Sequence, residues 1–347
     1  LLIVRLWSTF FLLVIFCWPA WCQQDSSLQA GPQADSLATR VLHINRILMI
    51  GNKVTRDRII LRELSLHPGD TVSSKNIEDV LIRVRSKIYN LRLFQTVVIR
   101  TIPADPNMVD ILIEVSERWY TFPQPIFELS DDNFNEWWVT YGHDFKRVNY
   151  GLRLYRNNFR GLNEYVRFTA QFGYNRRFAL LYRVPNIGKS QKHGLAFDID
   201  YTVPKNVAYQ TFDHVQDYVE RIEPFGKKSL GVSGSYSYRR SFYVTHSVSL
   251  EYRNATIADT IQTLNANYFT EGAQQQIYSA LTYQFNSDHR DVIAYPLKGF
   301  HLNGLISKTG LTPTDNVNML ELNALLAQHY SLGKGWFLSN FTSGYLS

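Results

Sequence analysis

The sequence predicts a mainly β protein in which a small α+β domain precedes a large antiparallel β-barrel. Three observations predict this architecture. Within residues 41–118 apolar residues recur at helical spacing between segments of alternating, strand-like pattern. Beyond residue 136, segments of about ten residues alternate apolar and polar side chains. Aromatic residues make up 14% of the chain and charged residues 19%, below the roughly 25% of ordinary soluble proteins.

The first 40 residues are predicted to be a signal peptide followed by a flexible linker. Arg5 precedes an apolar run over residues 6–18, and cleavage is expected after Cys22, so residues 1–22 form the signal. A short membrane anchor and a lipoprotein are the alternatives. Cys17 and Cys22 are the only cysteines, so the mature chain is expected to have no disulfide and no cysteine metal ligand. Residues 23–40, rich in Gln, Ser, Ala and Asp, are typical of a linker.

The order strand, helix, helix, strand, strand is predicted for residues 41–118. A strand over residues 41–50 ends at the Gly51-Asn52 turn. Thr55 is expected to cap a helix over residues 56–64, which Pro68-Gly69-Asp70 terminates.

A second helix is predicted after Ser73 or Ser74, because its apolar residues share one face: Ile77, Val80, Leu81, Val84, Ile88 and Leu91. Two strands follow over residues 94–102 and 109–115, with one face expected against the helices. A small sheet of this kind has open edges, and an open edge can accept an extended peptide as an added strand.

The remaining chain alternates strictly in several segments. Their apolar faces include Val166, Phe168, Ala170 and Phe172; Leu195, Phe197, Ile199 and Tyr201; Leu230, Val232, Tyr236 and Tyr238; and Val248, Leu250 and Tyr252. The opposite faces carry Ser, Thr, Gln and charged residues, as the lumen of a transmembrane barrel does. Lipid offers the backbone no hydrogen-bond partners, so such strands must close into a barrel. A soluble all-β domain is the alternative.

The boundaries of this barrel follow from the same pattern. Residues 119–135 are expected to link the domain to a barrel over residues 136–347, with about 11 or 12 strand-like segments. The stretches 204–228 and 255–275 are charged or amide-rich, which suits extracellular loops.

Residues 41–118 resemble a POTRA domain, the periplasmic module of the BamA/TamA family of outer-membrane assembly proteins. The residues that carry this resemblance are Ile50-Gly51-Asn52, Thr55, Arg62-Glu63-Leu64, Pro68-Gly69-Asp70, Leu91, Leu93-Phe94 and Val109 to Glu117. Gly51, Asn52, Gly69, Asp70 and Phe94 are its expected structural motif. The chain contains one such domain, whereas the best-known members of the family carry several.

The barrel segment resembles the same family, including its bacterial surface antigen type of barrel. Asn157-Asn158-Phe159-Arg160-Gly161-Leu162 is similar to a short Asn/Gly turn between opening strands, which singles out Asn158 and Gly161. Asp288, Arg290 and Asp291, followed by Pro296 and Gly299, are similar to the family's Asp-x-Arg-Asp, Pro, x-x-Gly pattern. The resemblance gives these positions structural rather than catalytic roles, and a solvated Asp–Arg pair is the simpler interpretation beside it.

The sequence departs from the family pattern in three respects. It has no Arg-Gly-Phe or Arg-Gly-Tyr triplet, its last residues lack a terminal aromatic, and its strand count is below the 16 expected from the resemblance. A sequence that stops before the end of the barrel is the expected explanation, and a complete smaller barrel is the alternative.

Enzymatic and nucleic-acid functions are not expected. The nine histidines include no His-x-x-x-His pair, and no Gly-x-Ser-x-Gly motif occurs, so neither a metal site nor a cofactor is predicted. The formal charge of +6 is spread among 30 acidic residues without a block of five like charges, which argues against nucleic-acid binding.

The resemblance implies a factor that inserts proteins into the outer membrane or translocates them across it. Its expected partners are outer-membrane lipid, unfolded client proteins and, at the periplasmic side, chaperones or accessory lipoproteins. The expected client-binding edge consists of Phe94, Gln95, Thr96, Val97, Val98, Ile99 and Arg100. A passive channel, a lipid-handling barrel and a non-functional remnant are the alternatives.

Overall fold

The computed structural model describes residues 40–130, 133–213, 215–219, 222 and 225–347. The predicted signal peptide, residues 1–22, and the predicted linker up to residue 39 lie outside these residues. A four-stranded sheet with two helices is followed by an antiparallel sheet of eleven strands, which confirms the predicted mainly β fold class. Among the described residues, the helices are all too short or too polar to cross a membrane.

The first domain is built from β1 (Val41–Ile50), α1 (Asp57–Leu61), β2 (Thr71–Ser73), α2 (Ile77–Tyr89), β3 (Phe94–Asp105) and β4 (Met108–Glu117). The strand order is β2-β1-β4-β3, with β1 parallel to β4 and the other pairs antiparallel. The predicted element order is confirmed except for β2, a strand of 3 residues that is too short to show an alternating pattern.

One face of this sheet is buried under α2, as predicted. Val84 and Ile88 of α2 are 2% and 0% exposed, and they share an apolar cluster with Phe94 of β3 and with Ile111 and Ile113 of β4. Burying each such side chain stabilises the domain by about 1.5–3 kcal/mol. This core fixes which face of β3 points inward and leaves β3 as an outer strand.

The first helix begins differently from the prediction. Arg56 occupies the N-cap position without a side-chain cap, and the helix ends at Leu61 rather than at residue 64. Thr55, the expected cap, instead accepts a hydrogen bond from Asn158 Nδ2 at 2.8 Å, and its hydroxyl lies 3.2 Å from Tyr120 OH. Long-range hydrogen bonds therefore override the local capping preference.

The predicted turn residues form tight turns. Gly51 has a φ of +95°, and a Cβ there would lie 1.9 Å from the Val115 carbonyl oxygen. Asn52 donates to the Thr55 carbonyl at 3.1 Å, and the Asp70 carboxylate accepts from the His67 N–H at 2.8 Å. Gly69 also has positive φ, at +92°.

The described residues of the second part of the chain form thirteen strands, which are β5 (Thr121–Leu129), β6 (Val148–Phe159), β7 (Glu164–Gly173), β8 (Arg176–Ile187), β9 (His193–Val203), β10 (Val207–Phe212), β11 (Val215–Val219), β12 (Lys227–Arg239), β13 (Val244–Ile257), β14 (Gln275–Asp288), β15 (Gly299–Thr309), β16 (Met319–Gly333) and β17 (Trp336–Leu346). Strands β10 and β11 form a separate hairpin, and the other eleven pair in the order β17-β16-β15-β14-β13-β12-β9-β8-β7-β6-β5.

The two faces of the large sheet differ as the alternation predicts. Phe168 lies between Leu154 and Leu180 on one face, and Gly234 lies between Phe197 and Leu250 further along it. The opposite face is polar and carries the ion pairs Arg167–Asp198, Asp200–Arg253 and Glu251–Arg253, with N–O distances of 3.9, 3.4 and 2.9 Å. Apolar side chains therefore form one continuous surface, and charged groups meet on the other.

The predicted linker over residues 119–135 is wrong in part, because it contains β5. This strand pairs antiparallel with β6 from Thr121 to Leu129 and is an outer strand of the large sheet. The sequence pattern did not predict this strand because it contains Pro123 and Pro125, and proline normally argues against a strand. Both prolines are tolerated at an outer strand, where alternate N–H groups have no sheet partner to lose.

Chain reversals alternate between the two ends of the large sheet. One end carries the connections 160–163, 188–192, 240–243, 289–298 and 334–335, and the first domain lies at this end. The other end carries both predicted extracellular loops, together with the short 174–175 connection. Those two loops pack together around Val207, Ile257, Ile261 and Phe269.

Candidate functional site at the junction of the domain and the sheet

The first domain is bonded to four of the connections at its end of the large sheet. The junction contains the two connections that carry the predicted barrel motifs, whereas the predicted client edge in β3 and the predicted POTRA turn residues lie outside it. We define the junction as the contacts that residues 55–87 and Asn90 of the first domain make with the four connections after β6, β8, β12 and β14.

The connection after β6 contacts the start of α1. Asn158 is 1% exposed and binds Thr55 through its amide nitrogen, while its Oδ1 accepts from the Asn163 N–H at 2.9 Å. The Arg56 N–H donates to the Gly161 carbonyl at 3.0 Å. A Cβ at Gly161 would lie 2.1 Å from the Val54 carbonyl oxygen, so only glycine permits this approach. Asn158 and Gly161 thus shape the domain contact.

The connection after β14 contains the second predicted motif. Arg290 forms two hydrogen bonds with the Asp288 carboxylate, at 2.8 and 2.6 Å. The pair forms as the simpler interpretation expects, but it is partly buried rather than fully solvated, with 18% and 16% of the side chains exposed. The physical reason is that the domain and neighbouring strands cover this connection.

Asp291 organises the rest of that connection. Its Oδ1 accepts from the backbone N–H groups of Val292, Leu297 and Lys298 at 2.9–3.3 Å, which closes the loop across Pro296. Its carbonyl accepts from Asn90 Nδ2 at 3.2 Å, and Asn90 Oδ1 accepts in turn from the Ile293 N–H at 3.3 Å.

Gly299 begins β15 with a φ of +101°, and a Cβ there would lie 2.1 Å from the His289 carbonyl oxygen. The loop therefore presents backbone groups to the end of α2.

A buried ion pair completes the junction. Glu63, just after α1, is 2% exposed and accepts two hydrogen bonds from Arg239 at the end of β12, at 2.6 and 2.8 Å. Lys87 of α2 lies over the Phe242 ring at 3.8 Å. Gln191, after β8, donates to the Arg58 carbonyl at 3.2 Å. The bidentate geometry of the Glu63–Arg239 pair fixes the orientation of the two side chains as well as contributing energy.

Sequence reasoning placed Glu63 in a motif but missed its partner. The available signal was a carboxylate between two apolar positions, since Ile60 in α1 and Leu64 beyond it are both buried. A buried carboxylate needs a cation, but its partner lies 176 positions away and no local pattern points to it.

The connection from the domain into the large sheet is short and is held by two hydrogen bonds. Only Arg118 to Tyr120 separate β4 from β5. Arg118 Nε donates to the Phe94 carbonyl at 2.7 Å, and Tyr120 OH donates to the Leu93 carbonyl at 2.9 Å. Tyr120 is 7% exposed and belongs to the core of the domain. The start of β3 is thereby held beside the start of β5.

The predicted client-binding residues lie in β3, which is an outer strand of its sheet. Phe94 and Val97 point into the core, whereas Gln95, Thr96, Val98 and Arg100 are exposed. Two carbonyls of this edge already have partners, because Arg85 Nε donates to Val97 at 3.0 Å and Arg118 binds Phe94. Pro103 lacks an N–H further along, so residues 98–102 are the accessible part of the edge.

No group of three or more His, Cys, Asp or Glu side chains suited to a metal ion occurs among the described residues. The junction residues are ion pairs, amides and backbone groups, which position parts of the chain and do not supply a nucleophile with a neighbouring base.

The architecture defines a class of protein: a small periplasmic domain docked on an antiparallel sheet with an apolar outer face and a polar inner face, as in outer-membrane β-barrels. Comparison with known families agrees. A POTRA model, described as a surface antigen variable number repeat, matches residues 42–118, and an Omp85 superfamily domain model matches residues 158–347. The chain belongs to the Omp85 superfamily and is an outer-membrane protein with its POTRA domain in the periplasm. The predicted family resemblance is confirmed.

Individual relatives cover parts of the chain. A Treponema pallidum (strain Nichols) protein named as an outer membrane protein assembly factor is 36% identical over 77 residues, which are 22% of this chain and 9% of that protein. BamA from Haemophilus ducreyi lacking POTRA domains 1–3 is 15% identical with a TM-score of 0.46, covering 87% of this chain and 55% of that one. CdiB from Escherichia coli is 11% identical with a TM-score of 0.45, covering 88% and 54%.

Proposed function

We propose that this protein inserts client proteins into the outer membrane or translocates them across it, with the POTRA domain receiving the client as an added strand on β3. The supporting observation is that β3, an outer strand of the small sheet, starts beside β5, an outer strand of the large one. A client strand bound to the first edge would lie next to the second. Superfamily membership and the name of the Treponema relative support the same function.

The accessible edge has a defined set of free backbone groups. Arg85 reaches the Val97 carbonyl from α2, and backbone groups alternate in direction along a strand, so those of Ile99 and Thr101 point to the same open side. Thr101 is exposed, which makes its N–H available to a client. Main-chain hydrogen bonds supply affinity in strand addition, and no nucleotide is needed because folding into lipid supplies the driving force.

The test is a pair of substitutions at one exposed position. Thr101→Pro removes an N–H from the open side, whereas Thr101→Ala keeps it; proline at an outer strand leaves the β3–β4 ladder intact. Proteoliposomes containing the full native protein are given a urea-unfolded eight-stranded outer-membrane barrel, and protease-resistant folded product is followed with time. We expect Thr101→Pro to slow insertion by roughly tenfold, equivalent to about 1.4 kcal/mol, and Thr101→Ala to match the wild type.

Equal rates for the two variants and the wild type would exclude this edge as the receiving strand. If the protein is a passive channel, two other results are expected. Deletion of residues 41–118 would leave the ion conductance unchanged, and neither the wild type nor any variant would insert the client.

A further inference from the structure

A cavity of about 340 Å³ lies between the POTRA domain and the ends of the strands at the junction. Its size is at the lower end of ordinary ligand pockets, which span roughly 300–1,000 Å³. Five cationic side chains line it, and only two carboxylates oppose them: Glu63 and Asp288 against Arg62, Lys87, Lys192, Arg239 and Arg290.

Both carboxylates already accept hydrogen bonds from arginines. Arg239 holds Glu63 and Arg290 holds Asp288, each through two short hydrogen bonds. Arg62 lies 3.2 Å from the same Glu63, so one buried carboxylate serves two guanidinium groups. In the described part of the chain, Lys87 and Lys192 form no ion pair with an acid. The cavity wall therefore carries a surplus of positive charge.

The surplus charge is partly removed from water. The Arg62 side chain is 11% exposed, and burial followed by the charge of Arg239 lowers its pKa to about 10. Burial is also the main cause that lowers the pKa of Lys87; the charge of Glu63 opposes this shift, and the charges of Arg239 and Arg83 add to it. Both directions mean that burial and the neighbouring cations make a positive charge less favourable at Arg62 and Lys87 than in water. A bound anion would offset this penalty.

Neutral hydrogen-bond donors complete the wall. Asn163, Asn286, Ser237 and Thr245, whose side chains carry amide or hydroxyl donors, also line the cavity, as does Asn186, whose Nδ2 donates to the Leu162 carbonyl at 3.3 Å. Several charges together with several neutral donors suit an anion with many acceptor oxygens and more than one negative charge. We propose that this cavity is a binding site for a phosphate-type oxyanion, either a soluble phosphate or the phosphate of a lipid headgroup.

The test compares Lys192 with Lys189, two lysines of the connection after β8, and adds Lys87 of α2. Pyrophosphate binding to the full native protein in neutral detergent is measured by titration calorimetry. Lys192→Gln and Lys87→Gln each remove a cation from the cavity, and we expect each to weaken binding on the order of tenfold. Lys189→Gln, an exposed position in the connection after β8 that does not line the cavity, is expected to bind like the wild type.

The two sources are distinguished by competition. If short-chain phosphatidic acid displaces pyrophosphate whereas the matching diacylglycerol does not, the lipid phosphate occupies the site; if it fails to displace pyrophosphate, the ligand is soluble. Absence of saturable binding, or an equal loss in Lys189→Gln and Lys192→Gln, would overturn the proposal. Insertion rates of the same variants are measured separately, because anion binding does not depend on the β3 edge.

Discussion

The small and large sheets of this protein bury their apolar faces against different partners. The POTRA sheet places Ile111 and Ile113 against α2, and both are at most 3% exposed. The large sheet leaves Leu180, Phe197 and Leu250 between 40% and 55% exposed on its outer face. Both sheets alternate, so the pattern itself does not say what covers the apolar side. On the POTRA sheet α2 covers the apolar side, and on the large sheet lipid covers it.

The largest effect is expected where α2 covers the POTRA sheet. Ile113→Ala leaves a cavity where the side chain was 0% exposed, and we expect the free energy of unfolding of the POTRA domain to fall by about 2–5 kcal/mol. Hydrogen exchange of the β4 amides in the full protein measures it. Ile82→Ala on the exposed face of α2 is the control and should change stability by less than about 0.5 kcal/mol.

The lipid cover is tested by a charge at the middle of β13. Leu250→Arg places a cation on the outer face, and we expect a loss of about 2–4 kcal/mol of folding free energy in bilayers. Ser249→Arg puts the same charge on the polar face one residue away and should cost much less. Folding into vesicles followed by heat-modifiable gel migration compares them. Equal costs would show that the outer face does not contact lipid.

The junction links the two sheets through a buried charge pair. Arg239→Gln leaves Glu63 with Arg62 as its nearest cation, so we expect domain docking to weaken by about 2–3 kcal/mol. Faster hydrogen exchange of the α1 amides is the measurement. Arg240→Gln, at the exposed neighbouring position, should leave exchange unchanged, and a similar effect of both variants would contradict a specific role for the pair.

Three glycines of the large sheet give a graded series. A Cβ at Gly151 would lie 2.1 Å from the Ala170 carbonyl oxygen, so Gly151→Ala is expected to cost about 1–3 kcal/mol. At Gly231 the Cβ would meet only the ends of the Asp200 and Arg253 side chains, at 2.6 and 2.9 Å, and the cost should be below about 1 kcal/mol.

Gly234 has open space around it and should tolerate alanine within about 0.5 kcal/mol. Urea midpoints of the three alanine variants, measured in the same detergent, provide the ranking. A different order would mean that backbone approach does not limit these positions.

The smallest expected effect is a pH dependence of the POTRA domain. A hydrogen bond from Arg46 lowers the pKa of Asp110, which is ionised in the folded state to lower pH than in the unfolded chain. Its stabilisation is therefore present above the unfolded pKa of about 3.9 and is lost as pH falls through the folded pKa. Asp110→Asn should flatten the pH dependence of the unfolding free energy of the POTRA domain in this acid window.

Much of the fold was predictable because it rests on local periods. The helical stripe of α2 and the alternation of β7, β9, β12 and β13 depend on neighbours within a few residues. The strand β5 was missed because Pro123 and Pro125 are local signals against a strand, and only its outer position in the sheet makes them acceptable.

The site was predictable only in part. Asn158 and Gly161 in the connection after β6, and Asp291 and Gly299 in the connection after β14, were found as turn residues, and the structure shows that both connections also contact the domain. Thr55 matched a helix cap in the sequence, but its hydroxyl is used across the junction. Local hydrogen bonding and long-range bonding use the same atoms, and sequence spacing does not distinguish them.

The amino-acid order alone encodes the two periods, and with them a small mixed domain followed by a sheet with one apolar and one polar face. How these parts meet depends on the fold, which pairs Glu63 with Arg239 and Asn90 with Asp291 and gathers the surplus cations around one cavity. The reason is that periodicity is encoded in adjacent side chains, whereas charge pairing depends on residues far apart in the chain that only the folded sheet brings within hydrogen-bonding distance.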